Sequence, residues 1–153
     1  MGFLLIGLAG GTVKGRESVA ATLVDQGGRS LGAYAYGISA EGRLDRSFSR
    51  DLARVNNLTK ALDDLPKLKR TTPEAGLVIT HLAGEDEVAI MRLAGGVIWH
   101  LVTPVSASIA IEIGDLLVTP RSGGIGHLYD PLEALSIELV RQQAAKPKKF
   151  ARA

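Results

Sequence analysis

The stretch FLLIGLAGGTVKGRESVAATLV, residues 3–24, decides the fold of this chain. It opens with the apolar run Phe3-Leu4-Leu5-Ile6, which is typical of a strand buried on both faces of a parallel sheet. A glycine-rich segment follows, and apolar residues then recur at helical spacing up to Val24, before Gly27-Gly28 ends the pattern. The stretch therefore predicts a buried strand, a glycine-rich loop and an amphipathic helix.

Further along the chain, strand patterns alternate with helix patterns. Short apolar runs predict strands within residues 29–36, 77–80, 97–102 and 116–118. Apolar residues that step by three or four predict helices within 46–65 and 85–93. They also predict a last helix with Asp130 as N-cap and Pro131 at its first position, whose core-facing residues are Leu132, Leu135, Leu139 and Val140. Pro66 and the basic run 67–70 predict a loop. This alternation indicates a three-layer α/β fold with a mainly parallel sheet.

Length and charge indicate one domain with a basic tail. The 153 residues suit a single domain, which we expect to span residues 1–143, with 144–153 as the tail. Of the 18 Lys and Arg, five lie beyond Glu138 with no acid among them, which leaves 13 against 16 acidic residues. Because the body is acidic, we do not expect nucleic acid as a partner.

Cysteine content and hydropathy narrow the classes of function. The absence of cysteine excludes disulfides, thiolate metal sites and cysteine nucleophiles. No apolar run approaches the roughly 20 residues needed to span a bilayer. No basic region precedes the first apolar run, so a signal peptide is not expected. We therefore expect no membrane partner and a cytoplasmic location.

The glycine-rich loop has the spacing of a phosphate-binding motif. In G-x-x-x-x-G-K-[ST], backbone N–H groups curl around phosphate, the lysine neutralises the outer phosphates and the hydroxyl holds magnesium. Gly10 and Gly15 have the required spacing, but Arg16 stands at the lysine and the hydroxyl comes only at Ser18. Arginine keeps the charge but is larger and planar. The loop thus predicts either altered phosphate binding or a structural glycine turn.

Three segments carry a family resemblance. Residues 6–20 read IGLAGGTVKGRESVA, residues 78–92 read VITHLAGEDEVAIMR, and residues 94–104 read AGGVIWHLVTP. Their glycine and apolar positions resemble the bacteriophage deoxynucleoside monophosphate kinases, a P-loop family that transfers phosphate from ATP to nucleotides such as dTMP, dGMP or hydroxymethylated dCMP. The resemblance covers most of the chain except residues 29–72. It implies a P-loop kinase-like fold.

The resemblance also implies roles for individual residues. In the family, G-K-D-T-[VI]-A follows the loop, and Arg16, Glu17 and Ser18 stand at the K, D and T positions. Arg16 and Lys14 would act on the donor phosphates as catalytic groups, and His81 and Arg50 would contact the monophosphate substrate. Ser18 would hold magnesium. ATP would be bound by Gly10, Gly11, Thr12, Val13, Gly15, Glu17 and Ser18.

Several charged positions of the family pattern are replaced. His81 stands at the family's aspartate, Ala83 at its arginine and Gly84 at its aromatic residue, whereas Glu87 is retained. A kinase must neutralise developing negative charge with cations and metal. One hypothesis is therefore a deoxynucleotide kinase with impaired transfer that uses ATP and magnesium. The other is a catalytically inactive kinase fold, recruited as a phage structural or protein-interaction component.

The two hypotheses imply different partners and locations. The kinase would bind nucleotides in the cytoplasm, which is the host cytoplasm for a phage protein. The inactive fold would bind a protein partner or form a homo-oligomer, and it could reside in the virion.

Arg46, Arg50 and Arg54 recur every four residues on the predicted helix. That row fits either a nucleotide lid or a solvated helix face.

Overall fold

The computed structural model describes residues 3–27, 31–34, 55, 58–60, 62–63, 65–71, 75–102, 109–120 and 128–145. The strands are β1 (Leu4–Gly10), β2 (Leu31–Tyr34), β3 (Gly76–Leu82), β4 (Val97–Leu101) and β5 (Leu116–Val118). The helices are α1 (Val13–Gln26), α2 (Leu65–Thr71), α3 (Glu85–Leu93) and α4 (Pro131–Ala145). The predicted alternation of strands with helices is confirmed.

The five strands form one sheet in the order β2-β3-β1-β4-β5. Each of the four neighbouring pairs is parallel. The first strand lies at the centre, where Leu5 is registered with Leu77 of β3 and Gly7 with Ile98 of β4. The carboxyl ends of β3 and β4 therefore flank the carboxyl end of β1, where the glycine segment begins. This order also differs from the two common doubly wound orders, 3-2-1-4-5-6 and 2-1-3-4-5.

Helices cover both faces of the sheet, because alternate residues of β1 point to opposite sides. On one face Leu4, Ile6 and Leu8 pack in a core with residues of α1 and α4. On the other face Leu5 and Ala9 pack in a second core with α3, the start of α2 and Leu58. The α/β fold with a parallel sheet between two helical layers is therefore confirmed.

Two features of the helices differ from the sequence prediction. Residues 65–71 form α2 instead of the predicted loop. Proline is tolerated in the first turn of a helix, where its missing N–H would have no acceptor, and burial of Leu65 anchors this short helix to the core. Val140, expected to face the core, is exposed on the outer side of α4.

The last helix begins as predicted. The carboxylate of Asp130 accepts from the Glu133 N–H at 2.8 Å, and Glu133 accepts in return from the Asp130 N–H at 2.9 Å. This reciprocal pair is a capping box. No helix in the described part of the chain is long and apolar enough to cross a membrane. The predicted arginine row, the basic tail from Lys146 onward and most of the predicted helix within 46–65 lie outside the described residues.

Candidate functional site

A tight glycine turn joins the central strand to the first helix. β1 ends at Gly10 and α1 begins at Val13, so only two residues connect them. Gly10 and Gly11 have positive φ angles of 73° and 68°, a conformation that side chains disfavour. A Cβ at Gly11 would lie 2.7 Å from the Cβ of Leu101. The glycines are therefore required by the turn itself, whether or not a phosphate binds there.

Thr12 caps the helix that follows the turn. Its side-chain Oγ1 accepts from the Gly15 N–H at 2.9 Å, and its carbonyl accepts from the Arg16 N–H at 2.9 Å. Val13 and Lys14 are the first two residues of α1, and N–H groups at these positions have no acceptor within a helix. Both side chains are exposed at the carboxyl end of the sheet. The helix N-terminus thus provides a locally positive surface.

Arg16 is turned toward the loop backbone. Only 7% of the residue is exposed, and its Nη1 donates to the Gly10 carbonyl at 2.7 Å and to the Gly11 carbonyl at 3.3 Å. These carbonyls belong to the two residues of positive φ. Arg16, which stands at the lysine position of the motif, therefore stabilises the turn, and its Nη1 is bonded to backbone oxygens.

The other residues predicted to bind ATP lie on α1. Val13, Lys14 and Gly15 are helical, so they do not curl around a phosphate as the residues inside a P-loop do. Glu17 and Ser18 are exposed. Ser18 is the sixth residue of α1, so it lies about 7.5 Å along the helix axis from Val13. This geometry does not match a cradle for magnesium-bound ATP.

The end of β3 lies beside the glycine turn. The register between β1 and β3 shifts there, since Gly7 is paired with Ile79 but Ala9 with Leu82. The extra residue falls at Thr80–His81, and such bulges are common next to functional sites. His81, predicted to contact substrate, is half-buried at this bulge. Arg50, the other predicted substrate residue, lies outside the described residues.

Glu87 fixes the segment that follows β3. It is 4% exposed, and its Oε1 accepts from the Ala83 N–H at 3.0 Å. The carboxylate therefore secures the start of α3 beside the bulge, as side-chain caps do for helix N-termini. Glu85 and Asp86 in the same turn are exposed. The three acids in the first turn also stabilise α3 by interacting with the positive end of its dipole.

A buried polar network is centred on Asp115, the residue before β5. The Asp115 carboxylate accepts two bonds from Arg92, at 3.1 and 2.9 Å, and lies 2.7 Å from Nε2 of His100. Burial opposes ionisation of Asp115, but these bonds and the Glu112 N–H outweigh it and lower the pKa of the carboxyl. The same pairing raises the pKa of Arg92. The network joins α3, β4 and the segment before β5.

A second buried acid is a residue of α4 itself. Glu138 is 2% exposed, and its Oε2 accepts from the indole N–H of Trp99 at 2.9 Å. Its Oε1 lies 3.5 Å from Nη1 of Arg141. Burial raises the pKa of the Glu138 carboxyl, although the Trp99 bond and Arg141 act in the opposite direction.

Neither buried network is predicted by the sequence. One signal was present, because Glu138 interrupts the apolar face between Leu135 and Leu139. Asp115 gave no comparable signal, since an acid before a short strand is ordinary in a loop. Comparison with models of known protein families gives no match to this chain, and comparison with curated proteins gives none either.

Proposed function

We propose that this protein is a deoxynucleoside monophosphate kinase-like P-loop domain of phage type that has lost ATP-dependent phosphoryl transfer and acts through protein contacts. The observation that carries the proposal is the position of Arg16. Its guanidinium donates to the Gly10 and Gly11 carbonyls and so stabilises the turn. In an active kinase, a cation at this position would instead bind the phosphates of ATP.

The kinase-like ancestry has three supports. The glycine turn follows the central strand of a parallel sheet, at the edge where ligands bind in such folds. The second family-like segment forms β3 and α3, and the third contains the glycine turn before β4 together with that strand. The three resembling segments thus make up the middle of the sheet and the helices attached to it.

The loss of transfer has two supports besides Arg16. Ser18, the proposed magnesium ligand, is exposed more than a turn into α1, and Val13–Gly15 are helical. Phosphoryl transfer depends almost entirely on positioning and electrostatic stabilisation of the phosphates. Among the described residues, the helical Val13–Gly15 form no such cradle and Arg16 is bonded to the turn, and we infer that both contributions are lost.

A kinase with impaired transfer is the second candidate, favoured by one observation. Lys14 is exposed in the first turn of α1, beside N–H groups that lack helical acceptors. A nucleotide phosphate could bind there weakly, with the charge of Lys14 supporting it. In this alternative Lys14, rather than Arg16, acts on the donor phosphates.

Calorimetry and phosphate transfer distinguish the two candidates. Wild-type protein is titrated with ATP, with and without magnesium, and then incubated with γ-labelled ATP and dTMP, dGMP or dCMP. The proposal expects neither magnesium-dependent micromolar affinity nor labelled deoxynucleoside diphosphate. Transfer that is lost in Lys14→Ala but kept in Lys60→Ala, an exposed lysine outside the glycine turn, would establish the impaired kinase instead.

A further inference from the structure

An isoleucine is presented at the tip of a tight turn before β5. The Asp115 N–H donates to the Glu112 carbonyl at 3.0 Å, and Gly114 between them has a φ of 100°. This arrangement places Ile113 at the tip, where it is fully exposed. A large aliphatic side chain on such a tip leaves apolar area in water, which is unfavourable unless a partner covers it.

The turn is held from three sides. The Asp115 carboxylate accepts from the Glu112 N–H at 3.1 Å and from Arg92 of α3, and it is bonded to His100 of β4. From α4, Arg141 Nη1 donates to the Gly114 carbonyl at 2.7 Å. Because the tip is already ordered, docking on it would lose little conformational entropy.

Other exposed groups lie on the segments that are bonded to the tip. Leu93, 90% exposed, follows Arg92, which holds Asp115, and Ile111 is half-exposed just before the turn.

Charges of opposite sign flank the tip. Glu112, with 56% of its side chain exposed, lies on the α3 side near Arg92, and Arg141, 47% exposed, reaches the turn from α4. We call Leu93, Ile111, Glu112, Ile113 and Arg141 the Ile113 surface.

We propose that the Ile113 surface binds a second copy of this chain about a twofold axis. An apolar tip with an acid on one side and a base on the other is self-complementary, as a twofold interface requires. The axis would bring the two apolar tips together and place Glu112 of each copy opposite Arg141 of the other. Opposite charges at the rim fix the register of such an interface.

Strand addition does not account for this association. The outer edge of β5 is already paired, since the Tyr129 N–H donates to the Leu117 carbonyl and the Thr119 N–H to the Tyr129 carbonyl. Side chains of the Ile113 surface therefore make the contact. The inference rests on the proposed function, because a domain that has lost phosphoryl transfer acts through binding.

Sedimentation velocity across roughly 1 to 100 µM protein tests the proposal, over the range of affinities typical of weak dimers. The wild type is expected to dimerise, and Ile113→Asp is expected to raise the dimer dissociation constant at least about tenfold. Val140→Asp, a change at an exposed valine on the outer side of α4, is the matched control and leaves the constant unchanged. Circular dichroism verifies that each variant is folded.

A charge reversal tests the orientation. Glu112→Arg places like charges across the twofold and should weaken dimerisation, whereas Asp25→Arg, at an exposed acid of α1, should not. A monomeric wild type, or a dimer that survives Ile113→Asp, overturns the proposed interface. If the chain stays monomeric and binds a different protein through Ile113, the proposal that a second copy occupies this surface is wrong. Phosphate transfer by a wild-type dimer would overturn the proposed function alone.

Discussion

Nη1 of Arg16 lies 2.7 Å from the carbonyl oxygen of Gly10, inside the turn that the glycine-rich segment forms. The bond links the first turn of α1 to the last residue of β1. The residue that looks like an altered phosphate ligand in the sequence is thus a structural donor in the fold, and its replacement should affect stability.

Arg16→Ala should lower the free energy of unfolding by about 1–3 kcal/mol, because two loop carbonyls lose a donor. Urea denaturation of the purified domain measures this change. Glu17→Ala, at the exposed neighbouring residue, is the matched control and should stay within about 0.5 kcal/mol of wild type. Equal stability of the Arg16 variant and wild type would contradict the structural role.

Gly11→Ser should destabilise the protein by more than about 1 kcal/mol, since serine cannot easily adopt the φ of 68°. Its Cβ would also collide with the Leu101 side chain. Gly84→Ser is the matched control, because φ is −155° there and no atom lies within 4 Å of the added Cβ. Thermal unfolding should separate the two variants, and similar melting temperatures would argue against the turn.

The sequence predicted the layers of this fold well because each element carries a strong local signal. The continuous apolar run of β1, the alternation along the chain and the Asp130-Pro131 helix start are local patterns, and all three are confirmed. Lateral strand order carries no such signal, since it depends on contacts between distant residues. The loop predicted at Pro66 is wrong, because a proline is compatible with the first turn of a helix, and α2 begins at Leu65.

The candidate site was predicted less completely. Spacing correctly identified a glycine-rich connection between β1 and α1, but it could not show where the helix begins. A helix starting at Val13 rather than after Gly15 changes the role of every residue in between. The direction of the Arg16 side chain likewise depends on free carbonyls, which a sequence does not display.

Asp115→Asn should cost about 1–3 kcal/mol at neutral pH, because the carboxylate bonds Arg92, His100 and the Glu112 N–H. The pKa of Asp115 is lowered in the folded state. Its contribution is therefore present above the unfolded value of about 3.9 and is lost as pH falls through the folded pKa. Denaturation at pH 7 and pH 3 should show the gap between wild type and variant narrowing in acid.

Glu138→Gln should produce the opposite pH dependence. Burial raises the pKa of Glu138 in the folded state, so stability is greatest below its unfolded value of about 4.3 and declines as pH rises through the folded pKa. Glutamine keeps an acceptor for the Trp99 N–H but does not ionise. From pH 4 to pH 7, wild type should lose stability relative to the variant. Glu17→Gln controls for removing one acidic group, and an unchanged difference would contradict the prediction.

The central position of β1 affects how this chain folds during synthesis. Leu5 is registered with Leu77, and Gly7 with Ile98, so β1 is made well before the two strands that flank it. Until then its apolar residues from Leu4 to Leu8 have no sheet to enter, and long-range parallel pairing is slow. The apolar segment from Leu4 to Leu8 is therefore prone to aggregation until β3 and β4 have been made.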